Sequence, residues 1–266
     1  MSDFLEQMAV SSAARSQPAT FEPVSTSVVP LRLQRFDIIA EIKSRSPSLG
    51  ALARKDFNRV EQARCYASAG ACAISVLTEP TRFDGSLEHL EEVVAAVPDV
   101  PVMRKDFLVH TWQVHEARAA GASGVLLIAA ILDDRAMNAM LDAAAEAELF
   151  VLLEAFDAND LMRINAAMDS AAVRTLQHEQ KFLVGINSRN LRTLDIDANR
   201  FTRLAPSLPA ATPCVAESGL SHDDDIAAAA DAGYSLALIG GALMQSDNPE
   251  QRLKSLLAVG RQQVAA

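Results

Sequence analysis

The chain has 266 residues, half of them hydrophobic and only 5% aromatic, enough for one large Ala/Leu/Val/Ile core or two small ones. A formal net charge of −10 argues against nucleic acid or an anionic membrane as the main partner. An anionic ligand would have to be met by positive charge gathered in a pocket.

The N-terminus carries Asp3 and Glu6 instead of a basic leader. The longest uninterrupted apolar run, residues 125–132, is far too short to span a bilayer. A cytoplasmic protein is expected. Cys65, Cys72 and Cys214 have neither metal-ligand spacing nor a paired framework, and read as buried free thiols.

Residues 1–36 differ in texture from the rest of the chain. Phe4, Leu5 and Met8 are spaced for one short amphipathic helix, and Ser16 to Pro30 reads as an extended Ser/Thr/Pro-rich linker. From Asp37 a rhythm begins. Short apolar runs at 37–43, 72–78, 100–105, 124–128, 149–154, 182–187, 213–217 and 235–239 read as strands. Between them, 57–69, 86–96, 111–120, 133–147, 157–168, 197–205 and 221–232 read as helices, and 248–260 closes the chain. Asp133, Asp157 and Ser221 are suitable N-caps, and Gly70, Gly121 and Gly233 suitable helix-end glycines.

Eight strand–helix units predict an α/β fold: a single (β/α)8 TIM barrel over 37–266 with a short N-terminal extension over 1–36. The turn after the first strand, Ser44-Arg45-Ser46-Pro47-Ser48, is not a dinucleotide fingerprint, which disfavours a doubly wound open sheet. Residues 169–181 show no period and read as an insertion on the face opposite the strands' C-terminal ends.

Polar residues collect where the strands end. In the first strand, Ile39, Glu41 and Lys43 share one face. The third strand brings Lys105 beside Met103 and Phe107, the fifth Glu154, the sixth Asn187 and Arg189, and the seventh Glu217, Ser218 and Gly219. Three carboxylates, two lysines and an amide at one end of a barrel suit general acid–base chemistry in a mouth where such sites lie. Gly240 and Gly241 after the eighth strand offer bare backbone amides for a phosphate. The five histidines have no ligand spacing and none ends a strand, so no metal is expected.

These residues lie in motifs: Ile39-Ala40-Glu41-Ile42-Lys43 with Ser46-Pro47-Ser48, Ser75-Val76-Leu77-Thr78, Phe83-Asp84-Gly85-Ser86, Arg104-Lys105-Asp106-Phe107, Gly185-Ile186-Asn187-Ser188-Arg189-Asn190-Leu191 and Ala216-Glu217-Ser218-Gly219. In order and spacing the series resembles the indole-3-glycerol phosphate synthase family. The resemblance implies a cofactor-free enzyme of tryptophan biosynthesis acting on a small phosphorylated anthranilate–ribulose substrate. A monomer or weak homo-oligomer is expected. It assigns catalysis to Lys105, Lys43, Glu154, Glu41, Asn187 and Glu217. Ser46, Ser48, Arg189, Ser218, Gly219, Gly240 and Gly241 would bind substrate, with Leu77, Phe83, Phe107, Leu126 and Leu191 forming the slot for the anthranilate ring. The chain departs from the family in an N-terminal segment poor in basic residues, in Ala155-Phe156 after the fifth strand, and in Ala242 after the paired glycines. The alternatives are another phosphosugar barrel, an isomerase or Schiff-base aldolase, or a non-catalytic binding barrel.

Overall fold

The computed structural model describes residues 3–21, 27–46, 50–51, 57–191, 193–197 and 199–265. Eight parallel strands close into a barrel: β1 (Asp37–Ile42), β2 (Ala73–Leu77), β3 (Val102–Lys105), β4 (Gly124–Ile128), β5 (Phe150–Ala155), β6 (Phe182–Asn187), β7 (Cys214–Glu217) and β8 (Leu236–Ile239). β1 completes the circle by pairing with both β2 and β8.

The helices are α1 (Phe4–Ala13), α2 (Arg59–Ala69), α3 (Pro80–Phe83), α4 (Leu87–Ala96), α5 (Thr111–Ala119), α6 (Asp134–Glu146), α7 (Ala158–Ala167), α8 (Ala171–His178), α9 (Arg200–Leu204), α10 (Asp223–Asp231), α11 (Gly241–Met244) and α12 (Pro249–Ala265). Local chemistry sets their ends. In α6 the Asp133 side chain accepts from the Ala136 amide, and Met137, Met140, Leu141 and Ala144 form the buried stripe. Gly70, Gly121 and Gly233 all take positive φ just past a helix, as expected.

Strand alternation divides the core in two. Ile38, Ala40, Val76, Val125, Leu127, Val151, Leu153 and Val184 point outward beneath the helices. Ile39, Ala73, Met103, Leu126, Phe150, Leu152, Leu183, Val215 and Leu236 fill the barrel. Leu5 and Met8 of α1 join this inner set at the mouth, so the N-terminal helix packs onto the end where the strands finish.

Three expectations are corrected. Residues 169–181 are not irregular: Ser170 caps α8, which buries Ala172, Val173 and Leu176 on one face. The α10 N-cap is His222, not Ser221, because the Asp225 carboxylate turns back to accept from both amides. Of the cysteines, all free, only Cys214 is buried; Cys65 and Cys72 are half-buried. The polar turn after β1 forms an antiparallel ribbon in which Arg45 pairs with Ala51 and Ser46 with Gly50.

Candidate active site

A pocket of about 310 Å³ opens at the C-terminal ends of the strands. Its floor is made by side chains that alternation turns inward one step above the apolar layer: Glu41 from β1, Lys105 from β3, Glu154 from β5 and Asn187 from β6, with Glu217 of β7 fully buried behind them against Lys105. The register places Asn187 directly beside Glu217. All six residues expected to act in catalysis, Lys43 included, belong to this one site.

The polar groups form a chain of contacts. Lys43 is ion-paired with one oxygen of Glu41. Lys105 Nζ lies 3.2 Å from the other Glu41 oxygen and 3.2 Å from Glu217 Oε2, bridging carboxylates of β1 and β7. Asn187 Nδ2 donates to Glu154 Oε2 at 3.0 Å. All three carboxylates are almost fully buried, so their ionisation is set by neighbours.

The neighbours pull in opposite directions. Burial disfavours the Glu41 carboxylate, but the ammoniums of Lys43 and Lys105 outweigh it and hold the group at about 2. Burial likewise disfavours the Lys105 ammonium, and Glu41, Glu217 and Glu154 more than compensate, raising it. Glu154 moves the other way. Burial first, then the charge of Glu217, push it well above the usual carboxylate range, against the pull of Lys105 and Asn187. Carboxyls that should hold and lose protons at different pH values share one cavity, an arrangement suited to acid–base work.

Two glycines make room for this cluster. A Cβ at Gly185 would lie 2.1 Å from Glu217 Oε1, and one at Gly240 would lie 2.2 Å from Glu41 Oε1. Gly240 therefore serves the Glu41–Lys43 pair as well as offering an amide. Beyond Glu217 the backbone turns left-handed twice in succession, at Ser218 (φ 66°) and Gly219 (φ 72°). Ser188 Oγ donates to the Ser218 carbonyl at 2.9 Å and supports that turn. Ser218, Gly219, Gly240 and Gly241 all border the pocket on this side.

The opposite wall is apolar. Leu77, Phe83, Phe107, Leu126 and Leu191 line it. Arg189 stands at the rim, its Nη1 donating to the Leu194 carbonyl at 2.8 Å. Ser46 lies in the ribbon after β1 and its side chain is outside the described residues, as is Ser48 altogether.

Sequence reasoning missed Phe4 and Asp106. Phe4 completes an aromatic trio, with ring centroids 6.5 Å from Phe83 and 6.2 Å from Phe107. Asp106 fastens α1 above the cavity. Arg15, just past α1, reaches Asp106 through two bonds of 2.7 and 3.0 Å. Arg104 and Thr78 bind the same carboxylate. The apolar residues Ile128 and Leu238 also line the pocket, a position that strand alternation would have indicated. Among the described residues, no group of three histidine, cysteine or carboxylate side chains is arranged to hold a metal ion.

The family model for indole-3-glycerol phosphate synthase matches residues 5–256. An indole-3-glycerol phosphate synthase of a Nocardioides species is 42% identical over 259 residues, covering 97% of this chain and 94% of its own. That of a Parafrankia species is 43% identical over 230 residues, covering 86% and 81% respectively. Among solved structures, 3-hexulose-6-phosphate synthase from Salmonella typhimurium superposes with a TM-score of 0.64 at 13% identity, covering 86% of this chain and all of the other. Orotidine 5′-phosphate decarboxylase from Pyrococcus horikoshii gives 0.56 at 14% identity, covering 84% and 99%. At such identities these two establish the barrel alone.

Proposed function

We infer the chemistry of the pocket from a premise that the comparisons establish: this chain belongs to the indole-3-glycerol phosphate synthase family. It converts 1-(2-carboxyphenylamino)-1-deoxyribulose 5-phosphate into indole-3-glycerol phosphate, carbon dioxide and water, in tryptophan biosynthesis. The observation carrying the residue assignment is Lys105, an ammonium held between Glu41 and Glu217 on the floor of a pocket with an aromatic wall.

The pocket's two sides match the two ends of the substrate. The phosphate would lie against the amides of Gly219, Gly240 and Gly241 and the Ser218 hydroxyl. The anthranilate ring would fill the slot of Leu77, Phe83, Phe107, Leu126 and Leu191, closed by Phe4. Arg189 and Lys43 are the cations available to the ring carboxylate. This placement sets the reacting carbon over Lys105, and such positioning is a large part of catalysis.

Ring closure joins the aromatic carbon bearing the carboxylate to the C2′ carbonyl carbon. The carbonyl oxygen becomes an alkoxide, a stronger base than any lysine, and Lys105 supplies its proton. Carbon dioxide then leaves, and the electrons of its bond restore the aromatic ring. Departure of the C2′ hydroxyl and loss of a C1′ proton form the indole double bond, with Glu154 and Lys43 as the acid–base pair. Glu41 orients both lysines, and Asn187 and Glu217 orient the substrate's hydroxyls and amine.

Lys43 is ion-paired with Glu41 and Lys105 with Glu41 and Glu217, so the site lacks the isolated, unpaired lysine that a Schiff-base aldolase requires. Borohydride added during turnover should leave no adduct, while indole fluorescence and carbon dioxide rise together. A stable adduct, or substrate bound without indole formation, would replace this reading with the aldolase or binding barrel.

The protein is proposed to act in the cytoplasm as a monomer or weak homo-oligomer, without nucleic acid, and with residues 1–36 as an extension of the barrel domain. Among the described residues no helix is long and apolar enough to cross a membrane. Val10, Met162, Ile196 and Val264, the large hydrophobics exposed among them, lie on separate elements.

A further inference from the structure

The cluster has an electrostatic remainder that the proposed acid–base roles do not use. Glu154 Oε1 and Glu217 Oε1 are both buried, and neither has a hydrogen-bond partner among the described residues. Their second oxygens are occupied by donors, Asn187 Nδ2 on Glu154 and Lys105 Nζ on Glu217. The two carboxyls are close neighbours, and the charge of Glu217 acts on Glu154. Geometry explains how: Gly185 pairs with Glu154 across β5 and β6, and the Glu217 carboxylate crosses the space where a side chain at 185 would stand.

Two buried carboxylate oxygens without a donor, on neighbouring carboxyls, are strongly unfavourable. One proton between them satisfies both. It also balances the charge on the floor, where Glu41, Glu154 and Glu217 stand against Lys43 and Lys105. Arg189 is the next cation, at the rim, and it feels the charge of Glu41. The remaining strands bring uncharged side chains, namely Ser75 and Leu77 from β2, Leu126 and Ile128 from β4, and Leu238 from β8.

We propose that the resting pocket stores one proton between Glu154 and Glu217, and that Glu154 donates it to the departing hydroxyl and recovers one from C1′. This deepens the family reaction and rests on that reading. The steps balance. Glu154 protonates the C2′ hydroxyl, the C2′–O bond breaks and water leaves. The Glu154 carboxylate then takes the C1′ proton, and the C1′–H electron pair forms the C1′–C2′ double bond. The carboxyl pair ends as it began. Lys105, which gave its proton in ring closure, is reloaded from solvent, matching the one proton that decarboxylation consumes. On this proposal Glu154 takes over the share of the dehydration given above to Lys43, which serves instead to anchor anionic substrate groups and hold Glu41.

Infrared difference spectroscopy of the enzyme without substrate tests the store directly. Wild type minus Glu154→Gln at neutral pH is expected to show the carbonyl stretch of a protonated carboxylic acid, where an ordinary glutamate is fully ionised. The same stretch should vanish in Glu217→Gln, because the introduced amide donates to Glu154 and favours its ionised form. The alkaline limb of turnover should move in that variant to lower pH by roughly one unit or more. Absence of the acid stretch in the wild type, or its survival in Glu217→Gln, overturns the proposal. The spectrum is read without turnover, so that failure leaves the family reaction standing, whereas failed indole formation by the wild type removes the reading beneath it.

Discussion

Gly240 leaves the space that Glu41 occupies: a Cβ there would stand 2.2 Å from Glu41 Oε1 and 3.0 Å from Lys43 Nζ. The carboxylate cannot swing aside without cost, because Lys43 and Lys105 hold both of its oxygens. Gly240→Ala should therefore displace the pair and lower kcat by roughly 100-fold. The surrounding barrel is otherwise undisturbed, so its stability should fall by only about 1–3 kcal/mol. Steady-state kinetics and chemical denaturation on the same preparation check this, and unchanged kcat would show that Gly240 serves only as an amide.

Glu41 makes stability depend on pH in a defined direction. Its folded value is about 2 against an ordinary 4.5, so the folded state favours the charged form. That contribution is fully present above pH 4.5 and is lost as pH falls through about 2. Compared with Glu41→Gln, the wild type should gain about 3 kcal/mol near neutrality. The difference should shrink steadily on acidification below pH 4.5, as followed by urea unfolding at several pH values. A difference independent of pH would contradict the ion-pair account.

The strand-end residues were legible because alternation is a strict rule. Glu41, Lys105, Glu154, Asn187 and Glu217 occupy inward positions where an interior strand would carry Val or Leu, and their common end follows from the βα rhythm. Phe4 and Arg15 were not legible. Their partners, Phe83, Phe107 and Asp106, lie far along the chain, and no local period records a tertiary contact. Asp106 stands next to Lys105 in one motif, and the motif marked the strand end without indicating that its carboxylate is taken up by Arg15, Arg104 and Thr78. Helix α8 was obscured by Arg174, Thr175, Gln177 and His178, which dilute a three-residue apolar face. The upward shift of Glu154 comes from burial and then from the charge of Glu217, a neighbour only in space.

The N-terminal helix should contribute to substrate affinity more than to the chemical step. Phe4 adds a ring to the wall formed by Phe83 and Phe107, and Arg15 fixes the other end of the segment on Asp106. Phe4→Ala should raise KM by about 10-fold with little change in kcat, the loss expected for one aromatic contact and its buried area. Arg15→Ala should act in the same direction, and the double variant should cost less than the two effects combined, since both loosen one element. Strictly additive effects would mean that Arg15 and Phe4 act separately.

Lys105, held between Glu41 and Glu217, is the proton donor proposed for ring closure. A single-turnover experiment with Lys105→Met, monitoring substrate binding and carbon dioxide release in the same mixture, tests that role most directly. Binding should stay within a few-fold of wild type, because the contacts proposed for the phosphate and the ring remain. Carbon dioxide release should slow by roughly 1000-fold or more, because the lost interaction operates in the transition state. Release at the wild-type rate would contradict the assignment and place the first proton transfer on another group of the pocket.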